Sequence, residues 1–461
     1  MSMPLTLLLY LAALLAIGAW AARRTADSDD FHLGGRRLGP FVAALSASAS
    51  SSSAWSLLGV SGAAYAWGLP AIWLLPAVLS GFWINWTWVA PRLRRRNDEC
   101  HAMTLIEFLG HGLAAGDARQ LRRGGALIIL FSFTFYIASQ FQAAGTALGA
   151  ALPIGERAAI AYGALIVVGY VLLGGFWAAS VTDALQGVMM ALVALILPLI
   201  ALAAAGGIPG VWQDLAADGV AFSWTAQPGF LTAALFVAGL LGIGLGYPGQ
   251  PHVVNRFMAL ASADSIRLAR WLALGWAAVI YSGMIVLGWA MRVLSPGLAD
   301  RETALFEAAS LLLPAVLGGI VTGSVLAAIM STADSQLLVA GSAVSHDFSR
   351  RRPSLVVDRL VVLLLGIAAV LIAWYFPSTL FRRVLFAWQA LGNAFGPLLI
   401  VLLWRGPPAA RARFWSMTSG FALTVVLSLL PDAPGDAAER LLPFAVALAI
   451  AFYGSTKRFR G

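Results

Sequence analysis

Apolar residues run along this chain in stretches of about 20, separated by short segments rich in arginine. A stretch of that length lets an α-helix cross a hydrocarbon core of about 30 Å. The pattern predicts about thirteen membrane-spanning helices. They fall near residues 3–22, 40–62, 68–90, 124–147, 157–175, 184–205, 230–250, 268–292, 315–342, 356–376, 384–404, 414–430 and 440–454. We therefore expect an all-α membrane protein.

Arginine residues cluster in alternate loops between these stretches, and this decides the predicted orientation. An odd number of spans puts the termini on opposite faces, and basic loops stay on the cytoplasmic side. This places Arg256, in the loop between the seventh and eighth spans, on the cytoplasmic side. We therefore predict the N-terminus outside and the C-terminus inside. Three longer polar segments, 92–123, 206–229 and 296–312, predict loops with short surface helices and are too short to form a second domain.

The composition agrees with a membrane protein, because 60% of the 461 residues are hydrophobic and 11% are charged. Soluble domains have about 25% charged residues. The net charge of +9 does not indicate nucleic acid, since the basic residues lie in separate loops and not along one stripe. We expect membrane lipid as the surroundings, and neither a nucleic acid nor an obligatory protein partner.

Motifs for enzymatic chemistry are missing or misplaced. Lys457 is the only lysine, so a Walker A motif with its phosphate-binding lysine cannot form. Gly244–Gly249 fits GxGxxG, but it lies in an apolar span with no preceding strand. The histidines lack metal-site spacing, and we place all of them at the cytoplasmic edge: His32, His101, His111, His252 and His346. We expect no enzyme, and no cofactor beyond a coupling ion.

A run of serines lies in the middle of the second predicted span, between Ser46 and Ser56. Serine hydroxyls compete for backbone hydrogen bonds, so the helix can unwind there and expose carbonyls to a cation. Small residues also allow helices to pack closely in membranes. The run alone leaves both interpretations open.

The seventh predicted span ends in Gly242–Pro251, whose glycines and prolines cannot sustain a regular helix. A simple helix end would explain this composition. The position favours a broken helix, because the seventh span comes five spans after the second. Paired interrupted helices in two matching halves mark transporter binding sites.

Late in the ninth predicted span, Ala328, Ser331 and Thr332 follow i, i+3, i+4 spacing. That spacing puts one carbonyl and two hydroxyls on a single helix face. Oxygen ligands suit a hard monovalent cation. Serine and threonine also bond back to their own helix, which is the simpler interpretation of each residue alone.

Asp183 follows Ser180 and Thr182 at the predicted start of the sixth span, with Gln186 three residues later. A capping box explains this pattern. An intramembrane carboxylate can also serve the inner gate or the cation exit. Both interpretations stay open.

Taken in order, these segments resemble the sodium:solute symporter family, and within it the bacterial sodium/proline symporters most closely. The resemblance runs from about residue 30 to residue 405. The matching strings are Leu33–Gly39, Ala44–Ala47, Val181–Gln186, Gly244–His252, Met330–Thr332, Gln336–Leu338, Phe386–Trp388 and Phe395–Pro397.

The resemblance implies a LeuT-type fold in a single polytopic domain of a bacterial inner (plasma) membrane protein. Two inverted five-helix repeats would span residues 40–205 and 230–404. Residues 1–30 would form a peripheral first helix, and residues 405–461 would form peripheral C-terminal helices.

The resemblance also implies the site residues. Sodium would be held by backbone oxygens of Ala49, Ser52 and Ala328 and by the hydroxyls of Ser331 and Thr332. The solute would lie beside the two helix breaks, near Ser53, Ala54, Trp55, Tyr136, Ile243, Tyr247 and Pro251.

Two regions depart from the pattern of the proline symporters. Ser51 and Ser52 replace an aspartate and a methionine, which removes an intramembrane carboxylate that helps sodium coupling. Ile243 replaces a tryptophan in the wall that faces the solute. Gln389 and Asn393 in the eleventh span offer further polar contacts with no assigned role.

The expected function is sodium-coupled symport of a small amino-acid-like solute into the cytoplasm by alternating access, with proline as the first candidate. Two alternatives stay open. One is a proton-coupled or uncoupled transporter of another small organic solute. The other is a sensor that binds a solute without moving it.

Overall fold

The computed structural model describes residues 40–173, 176–260, 265–348, 355–376, 378–430 and 434–455, with residues 5, 6, 8–10, 12, 13 and 16 near the start. The Leu33–Gly39 string lies outside the described residues, and so does most of the predicted first helix at 1–30. The regular elements of the described chain are helices.

The helices of the first half overlap the predicted spans, although α6 and α8 begin nine and eight residues before them. They are α1 (Pro40–Ser51), α2 (Val60–Trp67), α3 (Leu74–Ile84), α4 (Ala90–Cys100), α5 (Leu105–Gly110), α6 (Ala115–Ala151), α7 (Glu156–Leu173), α8 (Phe176–Ala204) and α9 (Gly207–Ala217). Short 3-10 or π-helical segments join some of them, namely Trp55–Gly59, Leu69–Trp73 and Asn85–Val89.

The second half contains a similar series. It comprises α10 (Phe230–Leu245), α11 (Pro251–Met258), α12 (Ser265–Leu294), α13 (Ala304–Leu312), α14 (Ala315–Ser342), α15 (Leu355–Tyr375), α16 (Leu380–Trp404), α17 (Ala410–Ser428) and α18 (Ala437–Tyr453). The short segments here are Tyr247–Gly249, Arg301–Thr303, Ala343–Phe348 and Pro434–Asp436.

Eight helices within the described residues are long and apolar enough to cross a membrane. The chain is therefore an all-helical, multi-span membrane protein. Each predicted span from the second onward contains an observed helix. The predicted count of thirteen exceeds those eight, so the full count stays a prediction.

Both predicted helix breaks are present. Helix α1 ends at Ser51, and Ser52 and Ser53 leave the helical path before a π-helical turn begins at Trp55. Helix α10 ends at Leu245 and passes through a 3-10 turn to Gln250, which is extended with φ −85° and ψ 107°. Helix α11 then starts at Pro251, a position where a missing N–H costs nothing.

The two broken helices lie at the centre of the bundle. Helix α1 packs against α8, α12 and α14, and α11 also contacts α1. The turn Tyr247–Gly249 packs against α16, which also contacts α6. Helices α17 and α18 pack against each other and against α16. The unwound backbone of both breaks is thus enclosed by protein, where lipid cannot reach its polar groups.

Small residues let these helices approach closely, and this gives a first prediction. A Cβ added at Gly283 of α12 would overlap the Ala194 carbonyl of α8, whereas one at Gly275 would meet open space. We expect Gly283→Ala to destabilise the protein by about 1–3 kcal/mol through overpacking. Gly275→Ala on the same helix should be neutral or slightly stabilising. Thermal unfolding of the two purified variants tests this, and equal melting temperatures would contradict it.

Candidate functional site

The predicted cation ligands meet where α14 crosses the break in α1. The Ser331 hydroxyl lies 3.2 Å from the Ala49 carbonyl and 3.3 Å from the Ala328 carbonyl. The Thr332 hydroxyl lies 3.3 Å from the carbonyl of Ser50. All of these residues are buried. Two helices therefore bring carbonyl and hydroxyl oxygens to one point.

The spacing of these oxygens suits a cation as well as it suits hydrogen bonds. Distances of 3.2–3.3 Å are long for bonds between a hydroxyl and a carbonyl, which most often measure about 2.7–2.8 Å. Two oxygens held at right angles by one ion, each about 2.4 Å from it, would be about 3.4 Å apart. The arrangement is therefore close to that of neighbouring ligands around a small hard cation.

Ser52, the fifth predicted ligand, follows Ala49 by one turn. Its N–H donates to the Ala49 carbonyl at 3.2 Å. Its hydroxyl lies 3.4 Å from that of Tyr281 on α12. The structure thus brings Ala49, Ala328 and Ser331 into direct contact. It brings Thr332 to the carbonyl of Ser50, a residue that the sequence did not predict as a ligand.

The predicted solute residues of the first break are held by α6. The Tyr136 hydroxyl donates to the Ser53 hydroxyl at 3.4 Å, and the Ala54 N–H donates to the side-chain oxygen of Gln140 at 3.1 Å. The Trp55 N–H is turned back toward the Ser53 hydroxyl at 3.2 Å. Gln140 was not predicted, although a glutamine in the middle of an apolar span is itself a signal.

Tyr281 of α12 joins several parts of the site and was also not predicted. Its hydroxyl lies 3.0 Å from that of Ser56, and its ring lies 6.0 Å from the ring of Trp55. The same hydroxyl faces Tyr247 at the second break. Tyr281 therefore links the two broken helices.

At the second break, Tyr247 packs between the rings of Trp388 at 4.6 Å and Phe82 at 5.0 Å. Its carbonyl accepts a hydrogen bond from Asn85 at 3.1 Å. The Trp388 indole N–H donates to the Ile243 carbonyl at 3.2 Å. Trp388 of α16 therefore contributes an indole beside Ile243, the position that the sequence resemblance marks as changed.

The second break also approaches α16 very closely. A Cβ at Gly249 would lie 2.6 Å from the Gly392 carbonyl. Pro251 is buried at the start of α11. Of the two polar residues without a predicted role, Gln389 donates to the Gly242 carbonyl at 3.4 Å. Asn393 donates to the Thr424 hydroxyl at 2.9 Å and so connects α16 to α17.

Aromatic side chains cover one end of the site. Phe381, at the start of α16, packs against Trp55 at 5.5 Å and Trp67 at 5.3 Å. The Glu302 carboxylate accepts hydrogen bonds from the N–H groups of Leu380 and Phe381 at 2.9 and 2.8 Å. Burial raises the pKa of Glu302, while these hydrogen bonds act against the rise. The loop that carries Glu302 thus holds Phe381 over Trp55.

Asp183 does not cap a helix, so the capping-box interpretation is wrong. Helix α8 starts at Phe176, and Asp183 lies fully buried inside it. Its carboxylate accepts hydrogen bonds from Ser46 at 2.8 Å and Ser50 at 3.1 Å, and it pairs with Arg256 at 2.8 Å. The side chain therefore ties α8 to α1 and α11.

Arg256 is buried too, although the sequence pattern placed it among the arginines of a cytoplasmic loop. It donates to the Ser335 hydroxyl at 2.6 Å, the Ser46 hydroxyl at 2.9 Å and the His252 carbonyl at 2.7 Å. Ser335 in turn donates to the Ser331 carbonyl at 2.9 Å. The ion pair is therefore connected through Ser335 to the backbone of the candidate cation site.

The structure also places His252 and Gln186 in the interior. His252 is not at an edge: it is fully buried on α11, with its ring 5.6 Å from Phe133 and 6.4 Å from Tyr136. It helps to pack α11 against α6. Gln186 is buried one turn after Asp183, beside Tyr10, so it belongs to the same interior layer.

Comparison with known proteins relates the chain to one family and to several of its members. A model of the sodium:solute symporter family matches residues 31–420. The high-affinity proline transporter PutP of Bacillus subtilis (strain 168) is 33% identical, covering 96% of this chain and 95% of that protein. A sodium/proline symporter of Staphylococcus aureus (strain JH9) is also 33% identical, covering 90% of this chain and 84% of that protein.

The structure is similar to that of a Na+-coupled sialic acid symporter in a substrate-bound, outward-open state. The TM-score is 0.79 at 19% sequence identity, and the match covers 100% of this chain and 99% of that one. At this identity the likeness shows the fold alone.

Proposed function

Because the chain belongs to the sodium:solute symporter family, we propose that it couples the entry of sodium to the uptake of a small amino-acid-like solute. It is a multi-pass membrane transporter with a LeuT-type fold, not an enzyme. Our first candidate for the solute is proline, since the relatives at 33% identity carry that description.

One observation carries the proposal: the hydroxyls of Ser331 and Thr332 face the carbonyls of the unwound α1. In our proposal, Ala49, Ser52, Ala328, Ser331 and Thr332 bind the sodium ion, and Ser50 adds a further oxygen. Unwinding supports this role, because helical carbonyls are already used by N–H groups one turn later. At the break this regular pattern stops: the Ala49 carbonyl accepts the Ser52 N–H at 3.2 Å and keeps a second lone pair for a cation.

The solute would bind between the two breaks. Within the described residues, the Trp55 indole N–H is buried without a hydrogen-bond acceptor, so it offers a donor to a solute carboxylate. The N-terminus of α11 lies at the other break, and a helix N-terminus attracts negative charge. Tyr136, Tyr247, Ile243 and Trp388 supply mostly apolar surface, which suits a compact amino acid with few polar groups.

We assign the Phe381 end of the site to the outside and the Asp183 end to the cytoplasm, following the positive-inside orientation. Asp183 and Gln186 then belong to the inner gate. Opening it would require α1, α8, α11 and α14 to separate at the Asp183–Arg256 pair. The chain would act in the plasma membrane of a bacterium.

The sodium gradient supplies enough free energy for concentrative uptake. One sodium ion that enters down about 100 mV contributes about 2.3 kcal/mol. A tenfold concentration gradient adds about 1.4 kcal/mol. Together these allow roughly 500-fold accumulation of a solute without net charge.

Uptake by proteoliposomes tests the proposal. We expect labelled proline, or another small amino acid from a panel, to accumulate when external sodium is present. Replacing sodium by choline at fixed pH should abolish accumulation above equilibrium. Liposomes without protein provide the background.

Ser51 motivates the main alternative. Its hydroxyl donates to the Ser48 carbonyl of its own helix at 3.0 Å. It therefore does not replace the negative charge of a carboxylate at this position. Accumulation that persists in choline and follows an imposed pH gradient would indicate proton coupling and reject sodium symport. Sodium-dependent binding without uptake would instead indicate a sensor.

A further inference from the structure

A basic cavity lies at the proposed cytoplasmic end, between α4 and the beginning of α12. It has a volume of about 370 Å³, and its lining includes Arg94, Arg95, Arg267 and Arg270 with Asp98 as the acidic residue. A second cavity of about 410 Å³ on the other flank of α4 shares Arg95. The positive charge of these arginines is therefore concentrated around two neighbouring cavities.

Most of this charge is not neutralised by the protein. Arg94 pairs with Asp98 and donates to the Leu260 carbonyl at 2.8 Å. Among the described residues, Arg95, Arg267 and Arg270 have no carboxylate partner. The Nε–H group of Arg270 is buried and has no acceptor in that same part of the chain. A buried donor without an acceptor is costly, so these groups favour an anionic ligand.

Exposed tryptophans adjoin the cavity on the outer surface of the bundle. The Arg270 guanidinium lies 5.8 Å from the centre of the Trp83 ring and 5.5 Å from that of Trp271. Both indoles are exposed, and so is Leu268 beside them. Tryptophan prefers the boundary between lipid headgroups and acyl chains. Cations for a headgroup and apolar surface for acyl chains thus lie side by side.

We propose that the cavity between α4 and α12 binds an anionic phospholipid of the inner leaflet. Its phosphate would contact Arg95, Arg267 and Arg270, and its acyl chains would lie along Trp83 and Trp271. The exposed tryptophans distinguish this ligand from free phosphate, which would gain nothing from them. Arg94 connects α4 to Leu260, in the segment after α11. A bound lipid would therefore stabilise the cytoplasmic end of α11, the second half of the second broken helix.

Native mass spectrometry of the purified full-length chain tests this inference. We expect phosphatidylglycerol or cardiolipin to bind more tightly than phosphatidylcholine. Each arginine near an anionic headgroup is worth about fivefold in affinity. The double variant Arg95→Gln/Arg267→Gln should therefore bind anionic lipid about 30-fold more weakly. Both residues are exposed, so the fold should survive their replacement.

The matched control is Arg119→Gln/Arg411→Gln, which removes the same charge from exposed positions outside the cavity. It should keep the affinity of the unchanged protein. Equal weakening in both double variants would show a general charge effect and overturn the proposal. Equal affinity for phosphatidylcholine, or full displacement of the lipid by inorganic phosphate, would overturn it as well.

Discussion

Replacing Thr332 or Ser331 by alanine is expected to raise the sodium concentration needed for half-maximal uptake by about 10- to 150-fold. The range follows from the loss of one oxygen that interacts with a charged group, worth about 1.5–3 kcal/mol. Thr332 faces the Ser50 carbonyl, and Ser331 faces those of Ala49 and Ala328. The maximal rate at saturating sodium should change less than the sodium requirement, because the solute residues stay in place.

The control for this experiment lies on the same helix. The Ser324 hydroxyl is buried and bonds to the Val321 carbonyl of its own helix at 2.7 Å. Ser324→Ala removes the same atoms from α14 without touching the break in α1, so its sodium requirement should stay normal. Thr332→Ser keeps the hydroxyl and should restore most of the sodium affinity. Normal sodium dependence in both Ser331→Ala and Thr332→Ala would reject the assigned cation site.

The local half of this site could be predicted from the sequence. Ala328, Ser331 and Thr332 share a helix face through their i, i+3, i+4 spacing alone, and the serines around Ser52 weaken their own helix. Gly249 weakens a helix through its backbone freedom, and Pro251 lacks the N–H that would extend the preceding one. These are properties of neighbouring residues, so they can be read before the fold is known.

The residues that complete the site come from distant segments, and no local pattern identifies them. Tyr281 lies among apolar residues of α12, where a tyrosine also suits a membrane interface. Trp388 lies on α16, far from Ile243 in the sequence, and yet its indole donates to the Ile243 carbonyl. The resemblance to the sodium:solute symporters indicates which spans meet. It does not show which side chains contact Ser51, Ser52 and Ile243, where this chain departs from the family pattern.

Charge counting predicts the wrong surroundings for Arg256. It places this residue in a loop, because the positive-inside rule counts arginines near the ends of spans without asking which are paired. Asp183 was read in part as a helix cap, because a carboxylate after serine and threonine is common there. The structure brings the two together in the interior. Each alone would be prohibitively costly to bury, and only the tertiary fold shows that they compensate each other.

This pair gives the second large prediction. Asp183→Asn or Arg256→Gln should each destabilise the protein by about 3–5 kcal/mol, because either change breaks this buried ion pair and keeps one of its charges in the interior. Asp183 is completely buried and Arg256 is 2% exposed, so water cannot compensate. The double variant Asp183→Asn/Arg256→Gln removes both charges, and its loss should be clearly smaller than the sum of the two single losses. Thermal or denaturant unfolding of the four purified proteins measures the coupling.

A partly exposed ion pair provides the comparison. Asp214 pairs with Arg292 at 3.2 Å, and Arg292 also pairs with Asp218. Asp214→Asn should cost less than about 1 kcal/mol, since solvent and the second carboxylate replace the lost contact. Strictly additive losses at Asp183 and Arg256 would mean that their charges do not compensate each other.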